Sequence, residues 1–350
     1  MHATTAAVDL AKDVFEIGVA GTPGRVVDRQ RLGRRAFESW LRTLPLGTTV
    51  VMEACGTAHH WGRWCYAHGL QPVLLPPQYV RPYVRRDKTD RSDVTALLEA
   101  ARAADIHPVP VKSPEQQALH VLHGLRRQWQ TTRTARINTL RGWLREYGIG
   151  LPLGARTVAR QVPALLDDPA TPVPGLLQET VRGLLAEIRD LETRIKALDQ
   201  RLACVAAADP VAQRLQTIPG VGVIIATSLI SNVTHIHAFK RARHFASWLG
   251  LTPRIRASGR RQYLGRISKR GDVYLRTLLT HGARSILVNS QRRARTRQPA
   301  LTALHQWGTE LAARRGQNKA ASALANKLAR IIWAVWRHDR DFQIRRPLAV

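Results

Sequence analysis

TTAAVDLAKDVFEIGVAG, residues 4–21, decides how this chain is read. Two short apolar runs stand on either side of a charged AKD connection, a spacing that predicts two strands joined by a tight turn. The first run ends on Asp9. GRVVDRQRL (24–32) follows a TPG turn and adds a third strand, giving an antiparallel meander. A helical stretch from about Arg35 to Leu44 comes next, and then TTVVMEA (48–54), whose consecutive apolar residues Val50, Val51 and Met52 predict a buried strand ending on Glu53.

Beyond Glu53 the pattern continues. His60 to His68 reads as a helix stopped by Gly69, PVLLPP (72–77) as a strand, and SDVTALLEAARAAD (92–105) as a helix with Thr89 or Ser92 available as its cap. The order strand, strand, strand, helix, strand, helix, strand, helix matches the ribonuclease-H-like architecture. In that fold metal-binding acids come from the first strand, the fourth strand and a late helix, and Asp9, Glu53 and the pair Asp90 and Asp93 fall on those elements. Asp90 and Asp93, three apart, share one helical face. Four converging carboxylates repel one another and call for cations; two Mg²⁺ roughly 4 Å apart would satisfy them and polarise a scissile phosphate. Asp13 and Asp87 lie beside these positions but are set aside, Asp13 reading as part of the first hairpin turn and Asp87 as just ahead of the helix.

Composition names the partner. Lys and Arg number 54 against 25 Asp and Glu, a formal net charge of +29. A chain this basic seeks a polyanion, most plausibly nucleic acid. Three cysteines, an odd number with no CxxC spacing, argue against a disulfide framework or zinc knuckle and fit a reducing cytoplasm. No apolar run reaches the roughly 18 residues of a membrane helix, and the N-terminus lacks the order of a signal peptide, so a soluble protein working inside the cell is expected.

The division expected is 1–112, an α/β catalytic domain; 113–210, basic helices and a coiled coil; and 211–350, a mainly helical domain. Residues 115–147 are helical and rich in Arg, with Trp129 and Trp143 either stacking on bases or buried in a core. LPLGARTVARQVPALLDDPATPVPG (151–175) reads as a proline-rich connection. A heptad then runs through Leu177, Val181, Leu184, Ile188, Leu191, Ile195, Leu198 and Leu202. It is either the seam between two copies of the chain, the reading favoured, or one side of an antiparallel pair folded within it.

QTIPGVGVIIATSLIS (216–231) resembles a helix-hairpin-helix element, in which Gly220 and Gly222 allow a tight turn and bring backbone N–H groups to a phosphate. Between Lys240 and Arg276 eleven Lys and Arg stand against a single acid, Asp272. Within that stretch GLTPRIRASGRRQYLGRISKRGD (250–272), punctuated by glycine, reads as loop or short hairpin. Ser258 is framed there by Arg254, Arg256, Arg260 and Arg261, with Lys269 and Arg270 beyond. Guanidinium groups would hold a phosphodiester and stabilise developing charge, leaving Ser258 either a nucleophile or a phosphate contact. GQNKAASALANKLARIIWAVW (316–336) reads as a long amphipathic helix with Lys319, Lys327 and Arg330 on its polar side.

Taken in order, VDLAKDVFEIGVAG, MEACGTAHHW, KTDRSDVTALLEAAR, IPGVGVIIATSLISNV, FASWLGLTP, SGRRQYLGRISKRGDVYLRTLL and NKAASALANKLARIIWAV resemble the DEDD transposases of bacterial insertion sequences, relatives of the Piv-type DNA invertases. The resemblance spans nearly the whole chain. It implies a RuvC-like N-terminal domain joined by a coiled coil to a C-terminal transposase domain, with Asp9, Glu53, Asp90 and Asp93 as the acids and Ser258 as the catalytic serine. It also implies a structured noncoding RNA that pairs with donor and target DNA. A dimer or tetramer through the coiled coil is expected, because cutting and rejoining two duplexes needs several active sites in one assembly. Relatives often carry two serines before the glycine, where Ala257 precedes Ser258 in this chain. Two rivals use the same residues: a nuclease with water as nucleophile, and a non-enzymatic nucleic-acid-binding scaffold.

Overall fold

The computed structural model describes residues 5–21, 26–84, 89–152, 154–296, 298 and 302–343. The chain divides into two compact units, Met1–Glu115 and Gln116–Val350.

The first unit is built on one sheet. β1 (Thr5–Asp9), β2 (Val14–Ala20) and β3 (Val26–Gly33) form the expected meander, and β4 (Thr49–Glu53) and β5 (Gln71–Leu75) extend it on the other side of β1 in the order β3-β2-β1-β4-β5. β1 and β2 pair antiparallel; β1 with β4 and β4 with β5 pair parallel. Strand alternation sorts two cores. Val8, Phe15, Ile17, Val50 and Met52 face α1 (Arg34–Thr43) and α2 (Ala58–Ala67), where Phe37 and Trp61 pack. Ala7, Ala20 and Val51 face the opposite side, against Val94, Leu97 and Leu98 of α4 (Asp90–Ala101). Gly69, at φ +72, turns the chain between α2 and β5. A short helix the sequence did not announce, α3 (Pro77–Val80), follows β5 and runs into a 3₁₀ turn at Arg81–Tyr83.

Among its described residues the second unit is helical apart from one hairpin. α5 (Pro114–Glu146) and α7 (Gly175–Ala208) are its long elements. The stretch read as a proline-rich connection instead contains α6 (Ala155–Asp167), with Pro163 inside it. Pro163 removes a backbone donor and crowds the preceding turn, a cost of about 3 kcal/mol or more. Burial of Val158, Val162 and Leu166 against α5 and α7 offsets it.

The heptad reading needs a second correction. Its seam is buried inside the chain: Val181, Ile188 and Leu202 are at most 1% exposed, and Leu191, Ile195 and Leu198 at most 8%. The partner is α5, running antiparallel, with ion pairs Arg126–Asp199, Arg133–Glu192 and Arg136–Glu187 along the pair. The intrachain helix pair is therefore what forms, and this seam is not free to join a second copy. Trp143 is exposed and Trp129 half-buried beneath the Arg194 guanidinium, so neither tryptophan serves as core.

Where α5 meets the C-terminal helices, His123 is 2% exposed and bonded on both ring nitrogens, to the Tyr274 hydroxyl and the Thr227 hydroxyl, each at 3.1 Å. Burial, reinforced by Arg126, pushes its pKa down to about 4.

α8 (Pro210–Gln216), α9 (Val223–Asn232), α10 (Ala242–Trp248), α11 (Val273–Arg295), α12 (Ala303–Arg315) and α13 (Gln317–Arg337) share one apolar core. β6 (Pro253–Ser258) and β7 (Arg261–Ile267) form an antiparallel hairpin that stands out from it, exposed along almost its whole length. No helix among the described residues is long and apolar enough to cross a membrane.

Candidate active site

Asp9 and Glu53 are the last residues of β1 and β4, neighbouring parallel strands in register from Thr5 and Thr49 to Val8 and Met52. They therefore stand side by side at the C-terminal edge of the sheet, about 4.8 Å apart in the hydrogen-bonding direction. Alternation gives them the parity of Ala7 and Val51, whose side chains face α4. Both acids are half-buried and engaged in interactions.

Asp90 and Asp93 lie in the first turn of α4, Asp90 exposed and Asp93 half-buried next to Val94. Thr89 caps that helix. Its side-chain oxygen accepts from the Ser92 N–H at 3.2 Å, and Ser92 Oγ accepts from the Thr89 N–H at 2.9 Å, a closed capping box. The acids thus occupy the three elements expected of them, on one face of the sheet. The structure does not close them into a cage: no group of three or more His, Cys, Asp or Glu among the described residues is placed to hold an ion. As donors the four suit a hard divalent cation, since every ligand atom would be a carboxylate oxygen. Asp87 lies outside the described residues.

Three further residues belong to this face. Glu16 on β2 is directly opposite Asp9, a position the register supplies and the linear sequence hides. Gly18 lets α4 approach: a Cβ there would sit 2.5 Å from Val94 Cγ1. Arg29 on β3 donates to the Arg91 carbonyl at 3.2 Å and to Thr95 Oγ1 at 2.9 Å, fastening the start of α4 over the sheet. A glycine in the middle of a strand was the available signal for the second of these.

Ser258 ends β6 next to a two-residue turn in which Gly259 supplies φ +54. It pairs with Arg261, and Arg256 pairs with Tyr263. Paired residues share a face, so Ser258, Arg256, Arg261 and Tyr263 present one surface, with Arg254 two residues before Arg256. Ser258 is exposed and its hydroxyl makes no hydrogen bond among the described residues. Arg254 bonds the Ser268 carbonyl across the hairpin at 3.2 Å, while Arg256, Arg260 and Arg261 remain exposed to solvent. Tyr263, 63% exposed among arginines, adds a ring on which a base can stack.

The foot of the hairpin is closely packed. Gly271 passes so close to the preceding loop that a Cβ would lie 2.0 Å from the Trp248 carbonyl oxygen. Exposed Lys269, at φ +57, and Arg270 sit on this crossing. Asp272, the lone acid of the basic stretch, caps α11 by accepting from the Leu275 N–H at 2.7 Å.

The PGVG segment forms a turn between α8 and α9. Gly220, at φ +80, abuts α11, where a Cβ would meet the Gly282 carbonyl oxygen at 2.6 Å. Its demand is for close packing. Gly222 is exposed at the start of α9 with nothing within 4 Å of a Cβ.

Comparison with known proteins gives two family matches along the chain. Residues 6–149 match a family described as transposase, of the DEDD type, and residues 212–298 match the transposase IS116/IS110/IS902 family. The chain is 40% identical over 336 residues to the transposase for insertion sequence element IS1111A of Coxiella burnetii, covering 96% of this chain and 90% of that one. It is 39% identical over 337 residues to a probable family 20 transposase of Pseudomonas aeruginosa, covering 96% and 97%. The pilin gene-inverting protein of Moraxella bovis is 24% identical over 272 residues, covering 74% and 75%.

Proposed function

The chain belongs to the IS116/IS110/IS902 family of transposases, enzymes that cut and rejoin DNA, and from that premise we propose that it does so with Ser258 as nucleophile and a two-ion magnesium site held by Asp9, Glu53, Asp90 and Asp93. The observation that carries this reading is the adjacency of Asp9 and Glu53 at paired strand ends, on the face that α4 covers with its two acids. The family implies a divalent metal. When bound, the ions would neutralise the four carboxylates and polarise the scissile phosphate.

The rest of the chemistry falls to the chain itself. Arg256 and Arg261 hold the phosphate against the serine face and stabilise the charge that builds on it. Ser258 Oγ attacks phosphorus and gives up its proton; the bond from phosphorus to the 3′ oxygen breaks, and that oxygen leaves as a hydroxyl. The resulting phosphoserine conserves the energy of the broken bond, so a 3′-hydroxyl can later reverse the step without ATP. Exchange of two duplexes requires more than one copy, and with the α7 seam engaged inside the chain those copies would meet through other surfaces. In this reading residues 1–112 supply the acids, 113–210 brace the molecule and 211–350 present the serine. A structured noncoding RNA supplies target choice by base pairing, as in other guided systems.

The test is a denaturing gel. Wild-type protein with Mg²⁺ and DNA carrying the element's ends should yield a covalent protein–DNA adduct, and Ser258→Ala should yield none. An adduct that persists in the variant places the nucleophile elsewhere; cleavage without any adduct in the wild type identifies a water-using nuclease.

A further inference from the structure

At the foot of the hairpin a groove opens between the stem, at Gly265 to Lys269, and one face of α13. Its α13 wall carries Lys319, Lys327 and Arg330, spaced so that one helical face presents all three over about 16 Å. Arg266 and Lys269 stand on the opposing wall. None of these five cations pairs with a carboxylate among the described residues, and no acid lines the groove.

Lys327 is the most constrained of them. Its ammonium lies 4.1 Å from the centroid of the Trp307 ring, which fixes it in a cation–π contact. Partial burial, and then Arg330 nearby, lower its pKa, the mark of a charge lacking an anion. Asn326 donates to the Leu251 carbonyl at 3.1 Å and ties α13 to the loop that leads into β6, so the two walls are held at a set separation.

We propose that this groove seats the phosphodiester backbone of the DNA strand flanking the bond cut at Ser258, with Lys319, Lys327 and Arg330 each meeting a phosphate. The hairpin supplies the continuity. Ser258 is five residues beyond Pro253 along β6, about 17 Å from the stem. A strand lying along the hairpin covers that distance in about five nucleotides at 3.4 Å each. The groove then fixes the register of the strand, while the serine face performs the reaction. This inference rests on the reading of Ser258 as the cutting residue.

The experiment measures affinity against salt for the full chain on a fluorescently labelled mixed-sequence DNA duplex and on RNA of the same sequence. The variant is Lys319→Gln, Lys327→Met, Arg330→Gln; the methionine keeps an apolar stem on Trp307, and the other two sites are exposed, so folding is preserved. A control removes equal charge elsewhere, with Arg292→Gln, Arg314→Gln, Arg315→Gln. The groove variant should lower the slope of log affinity against log salt on DNA by about 2 to 3, at roughly 0.9 per phosphate contact, and the control should change it by less than 1. An unchanged slope, an equal loss in the control, or a loss on RNA alone overturns the proposal. The adduct assay on the same samples reads Ser258 separately: DNA-bound wild type without adduct removes the serine, and the slope alone judges the groove.

Discussion

Gly18 offers the sharpest perturbation of the acid site because it touches none of the four carboxylates. A Cβ at this position would stand 2.5 Å from Val94 Cγ1. Carbon atoms rest comfortably at about 3.5–4.0 Å, so Gly18→Ala demands about 1 Å of movement. Valine in a helix is confined to one strongly preferred rotamer, so the side chain does not swing aside and α4 itself must lift. Asp93 precedes Val94 and moves with it. Overpacking of this kind costs about 1–3 kcal/mol of stability, and a misplacement of about 1 Å in a catalytic group costs on the order of 10²-fold in rate. Metal-dependent strand cleavage and denaturant unfolding should be measured on Gly18→Ala, Val94→Ala and the double variant. The alanine at 94 removes Cγ1, so the double variant should cleave faster than Gly18→Ala and show a coupling of at least about 0.5 kcal/mol in stability. Wild-type cleavage and stability in Gly18→Ala, or strict additivity in the double variant, would refute the argument that this contact positions the acids.

Other outcomes follow from the second unit. Leu198→Ala, at a site 4% exposed on the α7 seam, should cost about 2–5 kcal/mol in unfolding experiments because it opens a cavity between α5 and α7. A fall in oligomer mass with stability unchanged would restore the interchain seam. His123 should make the protein acid-sensitive. Its folded pKa of about 4 lies below the ordinary 6.5, so the native state resists protonation that the unfolded chain accepts. Stability is complete above pH 6.5 and declines as pH falls toward 4, by about 2 kcal/mol between pH 7 and pH 5. His123→Gln should flatten that decline; equal acid sensitivity in variant and wild type would show that His123 is not the group responsible.

Much of the first unit was legible because strand periodicity and punctuation agree there. The runs ending on Asp9 and Glu53 are apolar, short and bounded by turns, and register followed once their pairing was known. What the linear pattern withheld is cross-strand: Glu16 opposite Asp9, Gly18 beneath Val94, and Arg29 reaching α4 from 62 residues away. α6 was missed because five prolines between 152 and 174 outweigh a short apolar period that gains its value only from burial against its neighbours. The heptad was read correctly as a seam and assigned the wrong partner. α5 meets α7 through Ile137, Leu140 and Leu144 at one end and through Arg126, Arg133 and Arg136, each paired with an α7 carboxylate, along the rest, so its apolar repeat is short and interrupted by charge. The hairpin was announced by its glycines, whereas the common surface of Ser258, Arg261 and Tyr263 depends on a register that composition does not contain.

Four carboxylates drawn from distant parts of the chain are held to bind divalent metal, and manganese makes that visible. A crystal of the DNA complex soaked in Mn²⁺ and measured at the manganese absorption edge should place anomalous density between Asp9, Glu53 and the first turn of α4, and Asp9→Ala should abolish it. Strong density elsewhere with none beside these residues, or density undiminished in the variant, would contradict the account.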